Sequence, residues 1–513
     1  MKYRSGILKL ALFATGLSGI VAEYVLSTLA TYFIGDSVFQ WTMIVSIMLF
    51  SMGLGSRISK YLENNLILKF IAIEYTLSIL SAFVSVFAYL ASAYYGDSSL
   101  LIYGMSVLIG LLIGLEIPLV IRLNNEYEEL RINVSSVMEN DYYGSLVGGM
   151  FFAFIGLPYL GLTYTPFILG SINFLVACSL VYMLYDQLDV VFRRKLIFTT
   201  SAVVLVLLAG VWFANDIIAF GENMRYRDKV VYSEQSKYQK IVITQSRGHF
   251  FLFINSNQQL SSLDEEMYHE PLVHPAMKLA GMPKNVLILG GGDGGAIREI
   301  LKYPSVEKMV LVDLDPAMTN LGREHPLLTG MNKNAMNSEL LEIINMDGFI
   351  YLEETNDFFD AIIIDLPDPK TIELGRLYSY EFYRLCYKRL RPRGVLITQA
   401  GSPYYAARAF HCIEKTMGEA DFATLPLHNQ VLTLGEWGWI LGAKGIKQDS
   451  LKPIAQRLSF DGLDTRFVNN ESMTLMTSFG KQVFMDENDP VEVNRIHHPV
   501  LYKYYLNGDW DLY

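Results

Sequence analysis

The chain has little with which to hold a metal or a disulfide framework. Three cysteines occur in 513 residues, Cys178, Cys386 and Cys412, and no CxxC or Cys/His spacing joins them. A zinc site is therefore not expected. His269 and His274 sit five apart in HEPLVH, outside the HExxH frame that presents two imidazoles on one helix face. Positive charge is also short: 41 Lys+Arg stand against 52 Asp+Glu, a net charge of -11. Nucleic acid is thereby disfavoured as a partner, since its phosphates call for a basic surface. Small cationic ligands suit such a chain, as does simple solubility. Basic residues are further missing from every second loop of the first 214 residues.

What that first stretch does contain is apolar runs of about 20 residues, each long enough for a ~30 Å hydrocarbon core. Seven spans are expected, near 7–33, 38–56, 66–94, 99–121, 142–160, 163–185 and 196–214. The first is too long and too poorly flanked for a cleaved signal peptide. Basic residues gather at Lys2, Arg4 and Lys9, at Arg57, Lys60 and Lys69, at Arg122 and Arg131, and at Arg193, Arg194 and Lys195. The turns near Asp36, Asp97 and Pro158 carry none. The positive-inside tendency then predicts a multi-pass protein of the cell membrane with a cytoplasmic N-terminus. Seven spans put the rest of the chain outside, whereas a re-entrant or miscounted span puts it inside, so the side of the soluble part stays open. Glu23, Glu74 and Glu116 fall within spans, Glu116 beside the helix-kinking Pro118. Charges at that depth mark either a cation path or protonated carboxyls bonding between helices. Gly53, Gly55, Gly110, Gly114, Gly144, Gly148 and Gly149 are expected where helices pack closely.

The chain divides by composition into a multispanning domain (1–214), a linker (215–229) with Arg225, Arg227 and Lys229, a small antiparallel β module (230–262), a Rossmann-like α/β domain (263–445) and an extension (446–513) without assignable chemistry. In the module, alternating YQKIVITQ and HFFLFIN are separated by short polar turns. Asp264 is placed to cap the helix that follows. The α/β domain centres on NVLILGGGDGGAIREILKYPSVEKMVLVDLD (285–315). A strand, a glycine turn, a helix and a second strand ending in an acid form a nucleoside-binding unit, with Asp313 placed for ribose hydroxyls. Asp293 stands inside the glycine turn, where it would repel a pyrophosphate and attract a cation. Further strands end in Asp347, in Asp365 with Asp368 three residues on, and in Gln399. These are the carboxyl ends at which doubly wound sheets bind ligands.

With YQKIVI, QLSSLDEEMYHE, LGGGDGGAIREIL, VDLD, MDGF, IIIDLPDP, LYSYEFY and GEWGW in this order, the chain resembles the spermidine synthase family, the polyamine aminopropyltransferases. It is most similar to the membrane-anchored members with an N-terminal multispanning region. The resemblance covers about 230–443, and more loosely SGIVAEYVLSTL and GLEIPL in the first part. It implies a methyltransferase-type Rossmann-like fold and a homodimer. It also implies decarboxylated S-adenosylmethionine as co-substrate, a diamine (typically putrescine) as acceptor, spermidine and methylthioadenosine as products, and neither a metal nor a tightly bound cofactor. By motif, Gln239 would touch the donor or methylthioadenosine, Asp313 its ribose, and Asp347 with Gly348 its adenine. His269, Asp293, Asp368 and Tyr268 would surround the polyamine, with Asp365 as proton acceptor beside it. Three departures stand out. Asp313 replaces a common Glu, the catalytic loop reads DLPD rather than DSSD, and VLTL at 431–434 lacks the tyrosine that soluble members often place near the acceptor. The acceptor's identity is left open by the last of these.

Two other readings fit part of the pattern. An S-adenosylmethionine-dependent methyltransferase needs the same glycine turn and ribose acid but not the paired acids. A non-catalytic polyamine transporter or sensor would use the intramembrane glutamates.

Overall fold

The computed structural model describes residues 2–35, 37–95, 98–125, 127–185, 190–226, 228–480 and 490–510. Asp36, Asp97 and Arg227, placed above in turns and linker, lie outside the described residues. The chain forms two compact units, Met1–Val230 and Val231–Tyr513.

The first unit is helical: α1 (Lys2–Ile34), α2 (Ser37–Ser59), α3 (Leu66–Tyr95), α4 (Ser99–Asn124), α5 (Leu130–Phe151), α6 (Gly161–Leu184) and α7 (Val190–Arg225). A π-helical stretch, Phe152–Leu160, joins α5 to α6. Among the described residues, six helical runs are long and apolar enough to cross a membrane. The fifth, Leu130–Met183, has 54 residues. Straight, it would be about 80 Å long, more than twice the hydrocarbon thickness. It is not straight. Gly161 turns the chain (φ 61, ψ -169) three residues after Pro158. On α5, Gly144 lies against the Phe13 carbonyl and Gly148 against that of Leu17, so α5 runs alongside α1 in the same direction. On α6, Phe167 packs on Phe83 and Phe174 on Tyr75, with ring centroids 5.4 and 6.1 Å apart, so α6 returns antiparallel to α3.

Backbone approaches of this kind leave no room for a Cβ; one built on Gly114 would stand 2.1 Å from the Met52 carbonyl oxygen. Gly53, expected to pack likewise, meets nothing within 4 Å. Glu74 and Glu116 are fully buried. The expected linker is corrected in its first part. Residues 215–225 continue α7, because Ile218 and Gly221 extend the buried stripe begun at Val203 and Leu207.

The second unit starts with a four-stranded antiparallel meander, β1 (Lys229–Gln235), β2 (Lys240–Ser246), β3 (His249–Ile254) and β4 (Asn257–Ser261). A long helix, α8 (Glu266–Leu279), leads into β5 (Asn285–Gly290). Then come α9 (Gly295–Ile300), β6 (Lys308–Asp313), β7 (Leu341–Asn345), β8 (Phe359–Asp365), β9 (Leu390–Gly401), β10 (Ala423–Val431) and β11 (Gly435–Ala443). The seven-stranded sheet has the order β10-β11-β9-β8-β5-β6-β7, with β5 to β9 parallel and β10 and β11 antiparallel at one edge. The strands are near-continuous apolar runs because both faces are covered. Val286, Ile288 and Ile363 point to one core, and Leu287, Leu289 and Ile364 to the other.

Asp264 does not cap α8. Its carboxylate accepts from the Thr433 amide (2.6 Å) and hydroxyl (3.1 Å) instead, two donors on the β10–β11 turn that fold back over it. β9 opens at Leu390 and runs on through Pro392 and Gly394.

Candidate active site

Strand register brings the predicted acids together. Gly290, the last residue of β5, pairs with Asp365, the last of β8. Gly290 has φ 79, and a Cβ on it would lie 2.1 Å from the Asp365 carbonyl oxygen, so only glycine lets the two strand ends meet. The turn that follows carries Asp293, whose Oδ1 accepts from the Gly295 amide at 2.7 Å. This local bond aims the carboxylate back across the turn. Gly295 is packed under the His269 ring, with its position for a Cβ 2.4 Å from Cε1.

His269 is therefore clamped. Its Nδ1 meets Glu265 Oε2 at 2.7 Å, and its Nε2 lies 3.5 Å from Asp293 Oδ1 and 4.0 Å from Asp365 Oδ2. Glu265 is itself held by Arg298, Nη1 to Oε1 at 2.5 Å and Nη2 to Oε2 at 2.9 Å. Burial disfavours the imidazolium, but the Glu265 hydrogen bond and the charges of Asp293, Glu265 and Asp365 outweigh it and push the His269 pKa up to about 9. Tyr268, next along α8, donates to Asp365 Oδ1 at 2.7 Å. Burial first, and then the charge of Asp293, push the Asp365 carboxyl up to about 6. A buried carboxylate tuned toward neutrality is suited to accepting a proton.

Asp368 lies one turn of loop beyond Asp365 and shares the same cavity. Burial raises its pKa, against the opposing influence of Lys370, Tyr505 and Gln399. On the other side of the glycine turn, Asp313 ends β6. Its Oδ1 accepts from the Asp315 amide at 2.9 Å, and Oδ2 lies over Gly292. Burial is the main cause of its rise to about 6. Asp347 caps the helix Gly348–Glu354 through the Phe349 amide and pairs with Arg376 through Oδ2. Gly348 and Gln239 line the same cavity. All nine predicted residues, Gln239, Tyr268, His269, Asp293, Asp313, Asp347, Gly348, Asp365 and Asp368, thus border one cleft at the carboxyl ends of the parallel strands.

Among the described residues, two His/acid trios come close enough to suggest a metal, and the carboxylates of the second are already engaged by the protein. In the first, His269 Nε2 faces Asp293 and Asp365, and, against burial, the surrounding carboxylates push the imidazole pKa up to about 9. In the other, Glu270 accepts three backbone amides, from Arg466, Phe467 and Val468, and Glu299 is paired with Arg298 and Lys302.

Several contacts of the site carry no local signal in the sequence. Glu265 and Arg298 are 33 positions apart. Gln399 donates to the Leu366 carbonyl (2.8 Å) and the Tyr378 hydroxyl (2.7 Å), which fixes the Asp365–Asp368 loop. Tyr505, from the extension given no chemistry above, donates to Asp368 Oδ2 at 2.6 Å. The aromatic-rich run HHPVLYKYYLNGDWDLY was its only hint.

The Spermine/spermidine synthase domain matches residues 265–451. The polyamine aminopropyltransferase of Leptospira interrogans is 38% identical over 96% of this chain and 96% of its own. Polyamine aminopropyltransferase 2 of Aquifex aeolicus is 39% identical over 98% of each, and the Oceanobacillus iheyensis enzyme is 36% identical over 97% and 96%. A solved spermidine synthase in complex with the transition state analogue AdoDATO is 30% identical, covering 49% of this chain and 85% of its own, with a TM-score of 0.45. With relatives of this identity matched along nearly their full length, and with the cleft's acids standing in the matched region, the chain belongs to the polyamine aminopropyltransferase family and is an enzyme of the spermidine synthase type.

Proposed function

We propose that the enzyme transfers the aminopropyl group of decarboxylated S-adenosylmethionine to a diamine, putrescine first, giving spermidine and methylthioadenosine. The observation that carries this reading is the convergence of Asp293, Asp365 and Asp368 on one cavity beside a nucleoside-type glycine turn. A donor sulfonium and an acceptor ammonium repel each other, and three acids offset that repulsion while holding both in place.

The donor carbon is already activated by sulfur, so the chemical difficulty lies in the acceptor, which is protonated near neutral pH. The free amine nitrogen attacks the methylene on sulfur. The C–N bond forms as the C–S bond breaks, sulfur keeps the electron pair as a neutral thioether, and the proton leaving nitrogen passes to Asp365. Tyr268 fixes the Asp365 carboxylate at Oδ1, leaving Oδ2 on the side of His269 Nε2, 4.0 Å away. Asp313 receives the ribose hydroxyls, Asp347 and Gly348 the adenine edge, and Gln239 the thioadenosine side. His269 and Asp293 set the charge around the reacting amine, and Asp368 reads its distal end. Replacing Asp365 with Asn tests the assignment. Turnover falls roughly 100-fold or more, the usual worth of a positioned base, while donor binding by calorimetry holds. Turnover within tenfold of wild type would remove Asp365 from the role.

The first unit acts as a membrane anchor that crosses the bilayer seven times, the fifth run folding at Gly161 into two crossings. With the N-terminus cytoplasmic, an odd count carries residues after Arg225 to the opposite face. A reporter fused after Tyr513 that is active only in the cytoplasm would be silent on this reading, and a signal from it would mean an even count. The resemblance further suggests a homodimer, which light scattering of the detergent-solubilised enzyme tests.

A further inference from the structure

We propose that Tyr505 keeps Asp368 available to the acceptor by holding it away from Lys370, which makes the C-terminal extension part of the acceptor site. The inference rests on the aminopropyl-transfer reading above. Asp368 and Lys370 are two residues apart on the same loop and feel each other's charge. Left to pair, they would cancel the carboxylate that a cationic acceptor needs.

The structure gives each a different partner. Lys370 Nζ donates to Asn257 Oδ1 of β4 at 2.6 Å and lies over the Tyr505 ring, 5.7 Å from its centroid. Asp368 Oδ2 accepts from the Tyr505 hydroxyl at 2.6 Å. One side chain thus engages the ammonium with its face and the carboxylate with its edge. A phenolic oxygen that donates to Asp368 still has lone pairs for an ammonium.

Tyr505 is delivered by construction. It sits on the short helix Leu501–Leu506, whose Leu501 and Tyr505 are buried. Asn494 ties that helix down, since its Oδ1 accepts from the Val500 and Leu501 amides while its Nδ2 donates to the Gly375 carbonyl at 2.8 Å. Gly375 ends the short helix Ile372–Gly375, which directly follows the loop carrying Asp368. Trp510 packs on the Tyr505 ring, centroids 4.7 Å apart, and donates to its carbonyl at 2.7 Å. The ring passes over Gly401, where a Cβ would stand 3.5 Å away.

Tyr505 is a positioning residue, acting through Asp368, and the test separates that role from packing. Full-length enzyme is assayed for methylthioadenosine release with decarboxylated S-adenosylmethionine and putrescine. Tyr505→Phe keeps the ring and removes the bond to a charged group, and is expected to raise acceptor KM about tenfold with donor KM and kcat unchanged. Tyr505→Ala raises acceptor KM further, and adding Lys370→Gln to it returns acceptor KM toward the Tyr505→Phe value. A wild-type acceptor KM in Tyr505→Phe, an equal rise in donor KM, or no recovery in the double variant overturns the proposal while leaving the reaction intact. A wild-type enzyme that releases no methylthioadenosine with any diamine would overturn both.

Discussion

Asp293→Asn should shift the pH at which the enzyme switches on. The carboxylate oxygens of Asp293 and Asp365 lie within 4.8 Å of each other. At an effective dielectric of about 20, two unit charges at that separation repel by about 3 kcal/mol. One pKa unit is about 1.4 kcal/mol, so an ionised Asp293 at this range is enough to raise Asp365 by roughly two units. The whole displacement of Asp365, from 3.8 to about 6, is no larger than this, and burial is its first cause. His269 and Tyr268 oppose it. Asp293 accordingly accounts for less of the rise than burial does.

The sign follows from the charges. Asp365 serves as base only when ionised, and a neighbouring anion delays ionisation. Neutralising Asp293 moves the break downward from about pH 6. Asparagine keeps an oxygen for the Gly295 amide, so the turn is preserved. The assay is log kcat/KM for putrescine against pH from about 4.5 to 8 at saturating donor, which reports the ionisations of the donor-bound enzyme and of the free acceptor. Acceptor deprotonation contributes the same shallow slope to both enzymes, and the extra break belongs to Asp365. The rate itself will also fall, because Asp293 is assigned to the amine, but the break position does not depend on that. A break that stays in place or moves up would refute the electrostatic account of Asp365.

Asp313→Ala is expected to raise donor KM roughly 10- to 100-fold, as for loss of bonds to a charged acceptor, with acceptor KM little changed; equal changes in both would remove Asp313 from the ribose. Glu265→Gln breaks a pair in which the Arg298 and Glu265 side chains are only 7% and 3% exposed. A cost of about 3 kcal/mol or more should lower the calorimetric Tm by several degrees, and an unchanged Tm would contradict the clamp on His269.

The parts legible in the sequence are those whose chemistry is local. A strand, a glycine turn and a terminal acid lie within a few residues of one another, so Asp293, Asp313 and Asp365 were readable, and parallel register then had to bring them together. Asp264 misled because helix-capping is judged from neighbours, while its donors on Thr433 come from 169 residues away. Glu265 with Arg298, and Tyr505 with Asp368, are pairings across the fold, and no spacing rule announces them. In the first unit, hydropathy marked two spans across 142–185, whereas the helices form one 54-residue run. The turn at Gly161, three residues past the turn expected near Pro158, keeps the two helices distinct.

The most direct measurement supplies purified full-length enzyme with decarboxylated S-adenosylmethionine and putrescine and quantifies both products by mass spectrometry. The account predicts methylthioadenosine and spermidine in equal amounts. Absence of methylthioadenosine with every diamine tried, or S-adenosylhomocysteine and a methylated product when S-adenosylmethionine is supplied instead, would contradict it.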